Sequence, residues 1–215
     1  YIVMVSDAFS FGSRRVLLSE VPPHLSRNLK DPIETNHDGI RAYNSWAGDH
    51  EHILSKSLLS AGTTWPGVFF VEDKMALNIL ATLPDVDTNA LACAGLSGGG
   101  LRTVLLGGLD DRIKCAVCVG FMTTWEDLAL YKCHTHTWMS YIPLVPKALD
   151  FPEILSLRVP LPTLVLNDNE DSLFTLSHMH KADEIMQAVF QKANASDHYR
   201  CSFYPGPHKF DIAMQ

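Results

Sequence analysis

Short apolar segments alternate along this chain with longer segments in which apolar residues recur every three or four positions. The longer segments predict helices with one buried face, at residues 50–60, 66–80, 101–109 and 182–190. The short ones predict buried strands, at residues 2–6, 90–94, 115–121, 163–167 and 199–203. This alternation predicts an α/β fold, a doubly wound and mostly parallel sheet with helices on both faces.

Two segments, which we call excursions, interrupt this alternation of strands and helices: residues 12–64 and residues 123–160. Both are rich in Pro and His, and long irregular insertions at strand ends commonly form caps or pocket walls. No linker or internal repeat divides the chain. We therefore expect a single domain over residues 1–215, with residues 123–160 as its cap or pocket wall.

Charge and composition narrow the range of partners. The net charge is −7 and no basic run is present, so the electrostatic source of nucleic-acid binding is missing. No apolar run approaches the ~20 residues of a membrane span, and the first residues lack the pattern of a signal peptide. We expect neither a nucleic-acid partner nor a membrane partner, and a cytoplasmic location. The five scattered cysteines fit a reducing compartment.

The strongest chemical signal is the sequence Gly95-Leu-Ser97-Gly-Gly99. It fits the G-x-S-x-G nucleophile elbow, in which a serine sits on a strained turn between a strand and a helix. A predicted strand and a predicted helix flank it here. The alternative is a glycine-rich turn that binds phosphate, but the spacing matches neither the dinucleotide motif nor the P-loop. The pattern favours Ser97 as a nucleophile.

A serine nucleophile needs a base and an orienting acid, which follow it at the ends of later strands in this fold class. Asp171 follows the predicted strand at 163–167, and His208 follows the one at 199–203. The carboxyl ends of parallel strands meet at one edge of a sheet, where ligands bind. The sequence therefore predicts that Ser97, Asp171 and His208 converge.

The acid is the least determined of the three. Asp168 and Glu170 lie in the same loop as Asp171, and Glu126 and Asp127 follow the preceding strand. Each is an alternative to Asp171.

Four motifs occur together in one order: FGSRR after the first strand, GLSGGGLRT at the elbow, then LVLNDNEDSLFT and FYPGPHKFDIAMQ. Together they resemble the α/β-hydrolase superfamily, in its dienelactone-hydrolase-like and acetyl-xylan-esterase-like branch, over nearly the whole chain. The resemblance implies that Ser97 is the nucleophile, His208 the general base and acid, and Asp171 the orienting acid. It also implies that the backbone N–H of Gly98 is one oxyanion donor and that no cofactor is needed.

The chain departs from that family at its two ends. Family members have three strands before the one that resembles residues 2–6, and a helix after the loop of the catalytic histidine. The loop after the third strand supplies the second oxyanion donor. We therefore expect these 215 residues to be the catalytic part of a larger hydrolase. We also expect a homo-oligomer, or a missing N-terminal segment, to cover the edge beside residues 2–6.

Aromatic and histidine residues are concentrated in the excursion at 123–160. We expect Trp125, His136 and Trp138 to contact the substrate, with a packed aromatic cap as the alternative. His134 and His136 have the H-x-H spacing of some metal sites. Because no clustered third ligand follows, we expect no metal.

The overall expectation is a serine hydrolase that cleaves a small carboxylic ester, acetyl or similar, through a triad and an acyl-enzyme. The same residues would serve a peptidase, thioesterase, lactonase or acyltransferase. An alternative of another class is a catalytically inactive binding module on a hydrolase fold.

Overall fold

A parallel four-stranded sheet is the centre of the molecule. The computed structural model describes residues 1–31, 36–211 and 214. The strands lie side by side in chain order, as β1 (Ala92–Leu96), β2 (Cys115–Val119), β3 (Thr163–Asp168) and β4 (Tyr199–Tyr204). The predicted parallel sheet is confirmed at these positions, although β1 begins two residues later than the apolar run suggested.

The described part of the chain contains five α-helices: α1 (His37–Ser60), α2 (Trp65–Leu80), α3 (Gly98–Leu109), α4 (Phe151–Ser156) and α5 (Leu176–Lys192). Caps define several of their first residues. The side chain of Thr64 accepts a hydrogen bond from Gly67 N, 3.0 Å away, at the start of α2. The described residues contain no helix with the length and apolar content needed to cross a bilayer.

Two helices differ from the sequence prediction. Helix α1 begins at His37 instead of residue 50 because the side chain of Asn36 accepts from Gly39 N and caps it there. Helix α4 lies within the excursion at residues 123–160, where the sequence predicts no helix. It has only six residues, too short for an apolar period to show, and a capping box between Asp150 and Glu153 fixes its start.

The helices α3, α4 and α5 pack on one another and bury one face of the sheet. Ala116, Cys118 and Val165 point to that face and are fully buried in the main core. On the opposite face, a smaller cluster joins Val119 and Leu166 to Met214. The main core therefore lies between one face of the sheet and a single helical layer.

The predicted α/β fold, a parallel sheet with helices packed on it, is confirmed in residues 1–31, 36–211 and 214. In these residues α3, α4 and α5 lie over the same face of the sheet. The spatial order β1-β2-β3-β4 repeats the chain order. Right-handed crossovers that all move in the same direction pass over the same face of a sheet. The second layer of a doubly wound sheet requires a reversal of strand order, which the four described strands do not make.

The prediction of a strand at residues 2–6 is wrong. The segment is irregular, and Val3 and Val5 are 79% and 88% exposed. A strand requires a hydrogen-bonded neighbour, and the described residues provide none for this segment, because β1 is the edge of the sheet and pairs only with β2. An apolar run alone therefore does not form a strand here.

Candidate active site

Ser97 occupies a sharp turn between β1 and α3. Its backbone has φ 58° and ψ −117°, a conformation that costs a non-glycine residue free energy and is concentrated at functional sites. Two hydrogen bonds hold it, from Ser97 N to Val119 O at 2.9 Å and from Leu101 N to Ser97 O at 3.0 Å. The turn therefore has the geometry of a nucleophile elbow, with Ser97 partly exposed at the carboxyl edge of the sheet.

Close backbone approach explains two of the glycines around Ser97. A Cβ on Gly95 would lie 2.3 Å from the carbonyl carbon of Gly99, and one on Gly100 would lie 2.7 Å from Cβ of Phe121. Neither distance is compatible with a side chain. Gly95 lets α3 begin directly against β1, and Gly100 lets α3 approach the end of β2.

The first turn of α3 presents free backbone donors beside Ser97. Gly98 is the first residue of the helix, and the first N–H groups of a helix have no intrahelical acceptor. Gly98 is exposed and a Cβ on it would meet nothing within 4 Å. An anion that develops next to Ser97 can therefore reach this N–H and the positive end of the helix dipole.

Asp171 and His208 contact each other through a short hydrogen bond. The distance between His208 Nδ1 and Asp171 Oδ2 is 2.6 Å. Asp171 is buried, and its second oxygen accepts from Leu173 N at 2.9 Å. The Asp171 hydrogen bond raises the pKa of His208, and partial burial of the imidazole opposes that rise. The carboxylate thus holds the imidazole with Nδ1 protonated, which leaves Nε2 as an acceptor.

The competing carboxylates have other partners. Asp168 accepts from Lys209 N at 3.1 Å, and burial raises its pKa. Glu170 is exposed. Glu126 pairs with Lys181 on the surface at 2.8 Å. Asp127 is fully buried and accepts from Thr123 Oγ1 and from Thr175 N. Of the five candidates, Asp171 is the one that the structure places against His208.

Ser97 and His208 approach the same point at the end of β2. Ser97 is bonded to Val119, the last residue of β2. The next residue, Gly120, has φ +56°, and a Cβ on it would lie 3.0 Å from Cε1 of His208. The loops after β1, β2, β3 and β4 therefore meet at one edge of the sheet. Gly120 was not identified from the sequence, since nothing local marks the glycine as a neighbour of His208.

Replacing Gly120 by Ala should lower both activity and stability. A side chain at a left-handed φ costs about 1–2 kcal/mol, and the new Cβ would press on the ring of His208, 3.0 Å from Cε1. Thermal unfolding and the rate of turnover measure the two effects. Gly48→Ala in α1 is the matched control, because a Cβ there meets nothing within 4 Å. Unchanged turnover in Gly120→Ala would contradict this placement of His208.

The three predicted substrate contacts occupy three different environments. Trp125 is 5% exposed and stacks on Phe151 with ring centroids 3.9 Å apart. It is a core residue, which corrects the prediction of a substrate contact, because its apolar surface is already covered by the protein. Trp138 is 49% exposed and lines a cavity of about 230 Å³. That cavity is lined by Ser55, Leu59, Thr64, Trp65, Trp138, Tyr141 and Pro143.

His136 lies near His208. Its ring centroid is 4.9 Å from that of Phe174, which is 6.4 Å from that of His208. Burial lowers the pKa of His136, and the hydrogen bond between Nδ1 and Lys132 O partly offsets this. Among the three predicted substrate-binding residues, His136 is the one that the ring of Phe174 links to His208.

The neighbouring His134 is exposed, and the described residues contain no cluster of three side chains suited to a metal ion.

One curated protein sequence and several solved structures are similar to this chain. No family model matches the sequence. Over 181 residues the chain is 29% identical to "Putative hydrolase YtaP" of Bacillus subtilis (strain 168), with 80% of this chain and 60% of that protein aligned. The chain therefore spans about 60% of the length of this relative.

Solved esterase structures share the fold. A structure described as a "putative acetyl xylan esterase" from Bacteroides fragilis NCTC 9343 superposes with a TM-score of 0.62 at 18% identity, covering 72% of this chain and 40% of that one. A promiscuous CE15 esterase from a marine bacterial metagenome gives a TM-score of 0.55 at 16% identity, covering 70% of this chain and 46% of that one. At these identities the likeness shows the fold, which is that of the α/β-hydrolases.

Proposed function

Since the chain has the α/β-hydrolase fold, we propose that it is a serine hydrolase that cleaves small carboxylic esters. The observation that carries the proposal is the convergence at one sheet edge of a strained serine at the strand-to-helix turn and a histidine bonded to a buried carboxylate. The esterases among its structural neighbours favour ester substrates over amides.

In the proposed reaction, Ser97 Oγ attacks the carbonyl carbon of the ester while Nε2 of His208 takes the hydroxyl proton. Asp171 keeps Nδ1 protonated and stabilises the imidazolium that forms. The negative charge that develops on the carbonyl oxygen falls beside the N–H of Gly98 at the start of α3. No metal or organic cofactor takes part in these steps.

Collapse of the tetrahedral intermediate breaks the bond to the alcohol, which leaves with the proton from His208. The acyl group remains on Ser97 as an ester. His208 then removes a proton from water, the resulting nucleophile attacks the acyl carbon, and Ser97 leaves with the proton that His208 returns. The products are the carboxylic acid and the alcohol, and the enzyme returns to its starting state.

The pH dependence follows from the state of His208. A general base must be neutral, and the contact with Asp171 raises the pKa of His208 above its ordinary value of 6.5. Activity should therefore fall as the pH decreases through a midpoint above 6.5. A profile of kcat/KM against pH with acetyl esters measures this midpoint. An acidic limb centred well below 6.5 would contradict the assigned base.

The direct test of the function is hydrolysis of p-nitrophenyl esters of increasing chain length. We expect turnover with the acetyl ester and a decline with longer acyl chains. Matched thioesters, lactones and peptide anilides should be cleaved more slowly. A folded protein that binds these esters and cleaves none of them would favour the binding-module alternative.

A further inference from the structure

Asp127 is a buried carboxylate that the proposed mechanism does not use. It lies just after β2, has no exposed surface, and accepts hydrogen bonds at one oxygen, Oδ2, from Thr123 Oγ1 at 2.8 Å and Thr175 N at 2.9 Å. Both donors are neutral. Burying a carboxylate against neutral donors costs free energy. A purely structural role therefore does not explain why a carboxylate occupies this position.

The second of these donors belongs to the loop that carries Asp171. Thr175 is the N-cap residue of α5, four positions after Asp171. Within the loop, Leu173 N donates to Asp171 Oδ1 at 2.9 Å, and Phe174 N approaches Asp171 O at 3.4 Å. The position of the Asp171 carboxylate therefore depends on the backbone of residues 171–175, and Asp127 fixes the far end of that backbone.

Other contacts join the same two segments. Lys132 Nζ donates to Ser172 O at 2.8 Å. Thr124 Oγ1 shares a hydrogen bond of 2.8 Å with Nδ1 of His178, in the first turn of α5. The segment after β2 thus contacts the loop after β3 at Ser172 and the first turn of the following helix at His178. Asp127 and Thr124 are both fully buried, and of these two Asp127 is the one that contacts the backbone of the loop, at Thr175 N.

We propose that Asp127 is a positioning residue of the active site, which holds the Asp171 loop through the N–H of Thr175 and so sets the contact between Asp171 and His208. Its importance for catalysis rests on the proposed triad. The contact itself is a property of the folded protein and does not depend on the reaction. Failure of the two proposals can therefore be told apart.

Two variants, Asp127→Ala and Asp127→Asn, test whether the loop needs an oxygen acceptor at position 127 or a negative charge at that position. Alanine removes the acceptor for Thr175 N, so the loop should shift and the hold of Asp171 on His208 should weaken. Asparagine keeps one oxygen acceptor, and its amide group can occupy the place of Oδ1, an atom that lacks a partner in the described residues. We expect the Ala variant to lose kcat by roughly tenfold to hundredfold with little change in KM, since a shift of about 1 Å can have an effect of this size. We expect the Asn variant to retain most of the activity.

The decisive readout is the pKa of His208, measured by NMR titration of its imidazole and assigned with a His208→Gln variant. The groups that face this ring are Asp171, Asp168 and, from the excursion, His136. In Asp127→Ala the pKa of His208 should fall, towards the value in Asp171→Asn, because the contact with Asp171 is the first cause of its rise. It should stay at the wild-type value in Asp127→Asn and in Glu126→Ala, the matched control at an exposed neighbour.

A pair of variants at Thr175 tests the same contact if Asp127→Ala does not fold. Thr175→Pro deletes the donor N–H, at a φ of −91° that lies within about 30° of the value that proline adopts. Thr175→Ala keeps the donor. A lowered His208 pKa in the Pro variant alone supports the inference. An unchanged His208 pKa in folded Asp127→Ala or Thr175→Pro overturns it, whether or not the protein hydrolyses esters.

Discussion

Replacing Asp171 by Asn should lower turnover about 10⁴-fold, the size of effect seen when the orienting carboxylate of a triad becomes an amide. The amide cannot hold Nδ1 of His208 in its protonated state through the 2.6 Å contact, so Nε2 is no longer reliably free to accept the proton of Ser97. Steady-state kinetics with an acetyl ester measures the loss.

The same variant should move the acidic limb of the pH profile to lower pH. The Asp171 contact is the first cause of the raised pKa of His208, and its loss lets that pKa fall. Glu170→Gln is the matched control, because Glu170 is exposed on the same loop. Near-normal turnover in Asp171→Asn would direct attention to Asp168, the buried carboxylate at the end of β3.

Ser97→Ala should reduce kcat by about 10⁶-fold, as expected when the nucleophile of such a triad is removed. The variant should stay folded, because both hydrogen bonds that hold the turn use the backbone of residue 97. Kinetic assays and thermal unfolding measure the two properties. Ser172→Ala is the control, an exposed serine next to Asp171. Residual turnover above about 1% of wild type in Ser97→Ala would exclude Ser97 as the nucleophile.

The part of the site that could be predicted is the part encoded in short segments. The elbow is visible because Gly95 and Gly100 must lack side chains for α3 to begin against β1 and the end of β2. Asp171 and His208 could be placed because each follows an apolar run, and the ends of parallel strands share an edge. The resemblance to α/β-hydrolases rests on the same segments, and the fold confirms it.

What could not be predicted depends on contacts between distant segments. The sequence offered Asp127 only as an alternative acid, and its contact with Thr175 N appears once β2 and β3 pair. Trp125 looked like a pocket residue, but its stacking on Phe151 requires α4, a helix too short to leave a pattern. The apolar run at residues 2–6 predicted a strand, although strand formation depends on a neighbour that a local pattern does not report.

The helical layers illustrate the same limit. Alternating strands and helices indicate parallel crossovers, but the alternation does not fix the order in which strands lie side by side. In the described residues the spatial order follows the chain order, and this places α3, α4 and α5 in one layer. The sequence therefore predicts the elements well and their arrangement across the sheet less well.

Labelling with a fluorophosphonate probe tests the central claim most directly, because the probe reacts covalently with a serine only when a base activates it. We predict one adduct on the wild-type protein, located by peptide mass spectrometry at Ser97. The adduct should be lost in Ser97→Ala and strongly reduced in a His208→Gln variant. A folded wild-type protein that remains unlabelled, or an adduct that persists in Ser97→Ala, would contradict the proposed nucleophile.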